Sequence, residues 1–177
     1  MPNAGKQFET AIKSACPDGI LIYRLKDPAG AFGGSSSLRF SNRNPFDFLI
    51  FDPTKRILYA LELKTVSGKS ISFERTADEH GEIHRHQIDG LKEWGAYGGV
   101  IAGFIIEFRE LETTVFLHID GFCSMAAQLR KKSFRLEDLD RLGIPYLVIP
   151  QEKKRTRYRY DIAAFLEEAP NKFSTER

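Results

Sequence analysis

Three charged residues interrupt the most apolar stretch of the chain, and their types and spacing could do chemistry. The stretch is Asn44 to Lys64, NPFDFLIFDPTKRILYALELK, and the residues are Asp47, Glu62 and Lys64. Two apolar runs, FDFLIF (46–51) and ILYALEL (57–63), flank Asp-Pro-Thr-Lys (52–55). Short β-branched and aromatic runs bounded by turn residues predict a β-hairpin. A charge in a buried strand is costly unless it is paired or binds a metal. Glu62 and Lys64 are two apart and so share one face of a strand. Asp47, on the neighbouring strand, could meet them there. Two carboxylates and an ammonium at one sheet end would hold a divalent metal with a lysine beside it. The same spacing also fits Asp47 and Lys64 as strand-end charges facing solvent, with Glu62 paired to either.

The flanking sequence must supply the elements that position these residues. Residues 4–15 place Phe8, Ile12 and Ala15 on one helical face, and Pro17 to Gly19 end that helix. Glu9 lies at the edge of its apolar stripe, where a glutamate is usually solvated. Residues 20–25 read as a strand. The Gly/Ser-rich segment at about 27–44, with Arg39 and Arg43, reads as a flexible loop, either functional or a linker. After the hairpin, residues 65–82 read as polar and irregular. Residues 82–94 read as a helix with Ile83, Gln87, Leu91 and Trp94 at helical spacing. Gln87 is either a helix-edge residue or an oxygen ligand facing a metal. His84 and His86 lack the i, i+4 spacing of a zinc site and read as surface or DNA-facing. Residues 99–108 and 113–119 read as strands joined by a turn, 121–131 and 136–142 as helices, 144–150 as a strand and 161–168 as a helix. The order predicts an α/β (α+β) fold with helices flanking a central, mixed, mostly antiparallel sheet.

At 177 residues the chain reads as a single domain. A net charge of +2 does not announce a nucleic-acid binder, but the charge is uneven: residues 151–159, QEKKRTRYR, hold five of the 26 Lys and Arg residues. The two cysteines have no CxxC spacing, which argues against a disulfide framework and fits a reducing cytoplasm. No signal peptide, membrane span or internal repeat is expected.

Asn-Pro-Phe-Asp (44–47) followed by Glu-Leu-Lys (62–64) resembles the PD-(D/E)xK nuclease signature. With Glu9 on a preceding helix, HRHQIDGL (84–91) downstream, and the strands GVIAGFIIEF and TVFLHID beyond it, the chain from about residue 5 to about residue 166 resembles RecU-type Holliday junction resolvases. The resemblance implies a restriction-endonuclease-like core and a homodimeric, Mg2+-dependent endonuclease (Mn2+ is an alternative) that cuts four-way DNA junctions symmetrically. It implies that Asp47, Glu62 and Gln87 hold the metal. Lys64 would position the attacking water or stabilise the transition state, and Glu9 would be an auxiliary acid. Pro45 stands where family members often carry a threonine, and segment 27–44 is shorter than their basic, apolar stalk.

That chemistry agrees with the residue types. A hard cation held by one or two carboxylates and water suits phosphodiester hydrolysis, and an ammonium at Lys64 can offset developing negative charge. Phosphate contacts are expected from Arg24, Arg39, Arg43, Lys69, Arg75, Arg85 and the 153–157 cluster, which includes Lys153, Lys154 and Arg155. Another PD-(D/E)xK nuclease, or a non-catalytic DNA-structure binder, are the readings from neighbouring classes.

Overall fold

The two apolar runs around Asp52 form the hairpin that their pattern predicts, and the sheet is built outward from it. In the computed structural model, which describes residues 3–26, 44–155 and 158–173, β1 (Leu21–Arg24) pairs antiparallel with β2 (Phe48–Asp52), and β2 with β3 (Ile57–Val66). Phe48 lies opposite Leu61, and Asp52 opposite Ile57. The Asp52 carboxylate closes the turn by accepting from the Thr54 and Lys55 N–H groups at 2.9 and 3.1 Å. On its other side β3 runs parallel to the next strand of the sheet, Val100–Phe108.

Parallel neighbours need a crossover. Here the crossover runs through a short strand, β4 (Ile71–Ser72), and then α2 (Arg85–Gly95) before entering β5 (Val100–Phe108). β6 (Thr113–His118) and β8 (Leu147–Ile149) complete the sheet antiparallel, in the order β1-β2-β3-β5-β6-β8. A mixed central sheet flanked by helices is therefore what the chain adopts.

Alternation along β3 sorts its side chains between two cores. Tyr59, Leu61 and Leu63 face α1 (Ala4–Ala15) and α5 (Ile162–Phe173), packing with Phe8, Ile12 and Phe165. Ala60 and Val66 face the side of α2 and α3 (Ile119–Gln128), with Ile88, Leu91 and Phe122. Glu62 and Lys64 share the parity of Ala60 and Val66 and so belong to the α2 face. β5 is buried on both faces, which is why its sequence is continuously apolar.

The structure departs from the sequence reading in several places. Residues 65–82 are not irregular throughout: β3 continues to Val66, and β4 pairs with β7 (Ser133–Phe134). The alternation Ile71, Phe73 buries both side chains, a signal masked by polar neighbours. The basic run 151–159 folds as a hairpin, β9 (Gln151–Lys153) with β10 (Tyr158–Tyr160). Tyr160 anchors it: its hydroxyl donates to Glu107 at 2.6 Å, and its ring meets Phe8 edge-on at 5.2 Å. α5 extends beyond residue 168 to Phe173, and α3 starts and ends earlier than 121–131. α4 (Leu136–Leu142) has the bounds expected and ends at left-handed Gly143. Of the loop expected at 27–44, only Asn44 lies inside the described residues. No helix among the described residues is long and apolar enough to cross a membrane.

One glycine sets how close α2 comes to the hairpin. A Cβ on Gly90 would collide with the Pro45 side chain and would stand only 3.0 Å from its Cα and 3.1 Å from its carbonyl oxygen. Next door, Phe46 packs edge-on against Trp94 of α2 at 5.2 Å. Alanine is the better helix former by up to about 1 kcal/mol, but overpacking against backbone costs about 1–3 kcal/mol. Gly90→Ala is therefore expected to destabilise the protein by up to about 2 kcal/mol net in urea unfolding; a stabilised variant would show that α2 can shift away from Pro45.

Candidate functional site

Asp47 stands where β2 begins, and its backbone and side chain both replace regular ladder contacts. Its N–H donates to the Leu61 carbonyl at 3.1 Å, and its carbonyl accepts from Leu25 N–H at 2.8 Å. Its Oδ2 accepts from Leu63 N–H at 2.9 Å. The carboxylate is thereby tied to β3 beside Glu62.

Glu62 is only 2% exposed. Its Oε1 lies 3.0 Å from Lys64 Nζ and also accepts from Gln87 Nε2. Burial pushes the Glu62 carboxyl up to about 8; Lys64 works against that rise, while Asp47 and Glu9 add to it. Burial also raises Asp47, opposed by the Leu63 N–H, reinforced by Glu9 and again opposed by Lys64 and Arg24. At both carboxyls burial, with Glu9 adding to it, outweighs what Lys64 offsets. Among the described residues, Asp47 Oδ1 and Glu62 Oε2 accept no hydrogen bond, so each carboxylate keeps one oxygen in hand.

That donor set fits a hard cation of the Mg2+ type, which takes one or two carboxylates and fills its shell with water. Among the described residues no group of three or more His, Cys, Asp or Glu could hold a metal ion, so a cation here would rest on two carboxylates and water.

Gln87 reaches Glu62 from the first turn of α2. Its Oε1 accepts from His84 N–H at 2.9 Å, a capping-box contact, while its Nε2 faces Glu62. The amide therefore shows Glu62 a donor and spends its carbonyl on the helix start. Glu9, from the opposite face, pairs with Arg24 Nε at 2.5 Å.

No protein-family model matches the chain. A curated relative does: the SPbeta prophage-derived uncharacterized protein YotM of Bacillus subtilis (strain 168) is 32% identical over 172 residues, covering 89% of this chain and 82% of that one. The chain belongs to the YotM family. Among solved structures, Hjc, a Holliday junction resolvase from the archaeal hyperthermophile Archaeoglobus fulgidus, overlays with a TM-score of 0.43 at 12% identity, covering 75% of this chain and 86% of that chain. At that score the likeness is loose and says nothing of activity.

In this YotM-family chain the basic residues singled out from sequence have different fates. Arg75 is spent inside the fold: its guanidinium donates to the carbonyls of Ala126 at 2.8 Å, Leu129 at 2.6 Å and Lys131 at 3.2 Å, at the end of α3. Arg85 makes a two-pronged pair with Asp89 and donates to the Arg75 carbonyl. Arg24 is held by Glu9 and the Leu25 carbonyl. Lys69 pairs loosely with Glu110 at 3.4 Å, Lys153 with Glu112 and Lys154 with Glu152, all on the surface. Arg155 is exposed. Arg39 and Arg43 lie outside the described residues.

Sequence reasoning missed Glu74. Burial opposes its charge, but the His84 ring and the N–H groups of Arg85 and Gly81 outweigh that and hold the carboxyl below its usual range. No spacing rule flags it, because its partners follow across a loop.

The Glu62 shift has a measurable sign. Its folded value near 8 lies above its ordinary 4.5, so the folded state binds that proton more tightly than the unfolded chain. In metal-free protein this stability is complete below about pH 4.5 and is lost as the pH rises to about 8. The wild-type thermal midpoint should fall across that window, and Glu62→Gln, which cannot titrate, should flatten the profile. Parallel profiles would show that the buried carboxylate is settled by its neighbours. Added Mg2+ should raise the wild-type midpoint at about pH 8 by mass action.

Proposed function

We propose that the chain is a divalent-metal-dependent endodeoxyribonuclease that resolves four-way DNA junctions. The observation that carries this reading is the pair of carboxylates, Asp47 and Glu62, each with an oxygen left over, beside the Lys64 ammonium. Asp47 and Glu62 would hold the ion, with Gln87 orienting Glu62. The ion, Mg2+ or Mn2+, would supply charge neutralisation at the scissile phosphate and a water acidic enough to attack at neutral pH.

The chain's own residues supply the rest. Lys64, fixed at 3.0 Å from Glu62, holds a positive charge where negative charge develops as the phosphorus gains a fifth oxygen. Glu9 keeps Arg24 at the edge of the site and adds to the negative field that draws a cation there. Lys69, Lys153 and Lys154 sit in exposed ion pairs of the kind worth little in water, so phosphates can replace their partners. Arg155, next in sequence to Lys154, is exposed, and with Arg39 and Arg43 completes the set proposed for DNA. Arg85 can join only by giving up Asp89, whereas Arg75 would have to abandon the end of α3.

The substrate comes from the resemblance of the NPFD, ELK and HRHQIDGL motifs to RecU-type resolvases. A homodimer follows from the same source: two copies related by a two-fold axis match a junction cut on two strands.

The test is cleavage of a synthetic four-way junction against linear duplex, with and without Mg2+. Paired symmetrical nicks in the junction, dependent on metal, are expected. Equal cutting of both substrates would keep the site and reduce the function to a general nuclease, and tight junction binding without cutting would leave a structural binder. Asp47→Ala and Glu62→Ala should abolish cleavage and leave junction affinity largely intact. Lys64→Ala should slow single-turnover cleavage by roughly 10²-fold or more; an unaltered rate would make Lys64 structural.

A further inference from the structure

A further buried carboxylate, outside Asp47, Glu62 and Lys64, is committed to three hydrogen bonds at the start of α2. Glu74 is 7% exposed. Its Oε1 meets His84 Nδ1 at 2.8 Å and accepts from Gly81 N–H at 3.3 Å, and its Oε2 accepts from Arg85 N–H at 2.8 Å. Glu74 N–H in turn donates to the Ile83 carbonyl at 2.9 Å, and Ile83 N–H to the Ser72 carbonyl at 3.0 Å. Gly81 is pressed so close that a Cβ there would stand 2.8 Å from the Phe73 carbonyl carbon. The loop between β4 and α2 is therefore drawn shut at its neck, and the carboxylate at that neck grips the residue before α2 and the first residue within it.

The same grip reaches Glu62. His84 N–H, whose ring Glu74 holds, is the group that captures Gln87 Oε1 at 2.9 Å. Capturing the carbonyl end of the amide turns its Nε2 end onto Glu62. Were His84 to swing away, the Gln87 amide would be free to rotate, and Glu62 would meet an oxygen or nothing. We propose that Glu74 is a positioning residue of the site: by fixing His84 and Arg85 at the start of α2, it sets which end of the Gln87 amide faces Glu62. Its effect on catalysis rests on the nuclease reading above; its effect on Gln87 does not.

Glu74→Gln tests this with little change of shape. One end of the new amide carries hydrogens, so it cannot accept from both Arg85 and the His84–Gly81 pair. The first readout is the side-chain NH2 signal pair of Gln87 in 15N-labelled protein, assigned by its loss in Gln87→Ala. It should move in Glu74→Gln and stay in Glu79→Ala, which removes a bond in the same loop, from Arg75 N–H at 2.7 Å. The second readout is the Mg2+ concentration for half-maximal single-turnover junction cleavage. It should rise about 10-fold or more in Glu74→Gln, the usual scale for loss of an outer-shell partner, with junction affinity unchanged.

Unmoved Gln87 signals would overturn the proposal. So would equal losses of cleavage in Glu74→Gln and Glu79→Ala, since that is the mark of general loop loosening. Moved Gln87 signals in a protein whose wild type cuts no DNA would uphold the positioning and sink the nuclease reading. Should Glu74→Gln fail to fold, Glu74→Asp, which keeps the charge and shortens the reach, allows the same comparison.

Discussion

A carboxylate buried to 2% exposure in the middle of a strand is the constraint on which the rest of this structure turns. Glu62 cannot be left alone in that position, because an unpaired charge there costs far more than any single packing contact returns. Its neighbours are arranged accordingly. Lys64 lies two residues along the same face, Gln87 comes across from α2, and Asp47 is tied beside it by a bond to the Leu63 amide. For Gln87 to arrive, α2 must lie close to the hairpin, and the missing side chain at Gly90 allows that. Burial outweighs what these partners offset, and the carboxyl is driven to about 8.

The sheet divides labour between its two faces. The face toward α1 and α5 is filled by Leu61, Leu63, Ile105 and Phe116, and its one buried carboxylate on β5, Glu107, is satisfied by hydroxyls from Thr65 and Tyr160. The face toward α2 carries the carboxylates that are left with spare oxygens. Glu107 and Glu62 are both buried, but Glu62 has the like charge of Asp47 beside it. Burial alone therefore does not mark the site; unbalanced burial does.

The hairpin, the apolar β5 and the amphipathic α1 were legible in the sequence because each obeys a local period: two for a half-buried strand, none for a strand covered twice, and near four for a helix. Asp47, Glu62 and Lys64 stood out for the same reason, as breaks in a pattern. Gln87 was visible as a polar residue on an apolar stripe. Glu74 broke no pattern, since it follows a two-residue strand in a polar segment and its partners come from the far side of a loop. The Arg75 role was equally hidden: a guanidinium in a polar run looks like surface, and only tertiary structure brings the end of α3 to it. The hairpin at 151–160 shows in the sequence only as a cluster of basic residues, because its aromatic anchor, Tyr160, lies at its edge.

The junction of β1 with β2 has a consequence of another kind. Leu25 N–H donates to the Asp47 carbonyl at 2.8 Å, and the Asn44 amide donates to the Lys26 carbonyl at 2.9 Å, so the chain leaves β1 and re-enters β2 through two bonded points next to the site. Whatever is spliced between those points, the frame beneath it stays closed. The entropy of closing such an excursion grows only with the logarithm of its length. Insertions and deletions between those points are therefore cheap for stability. A change of length there leaves the pairing of β1 with β2, and the strand start that carries Asp47, as they are.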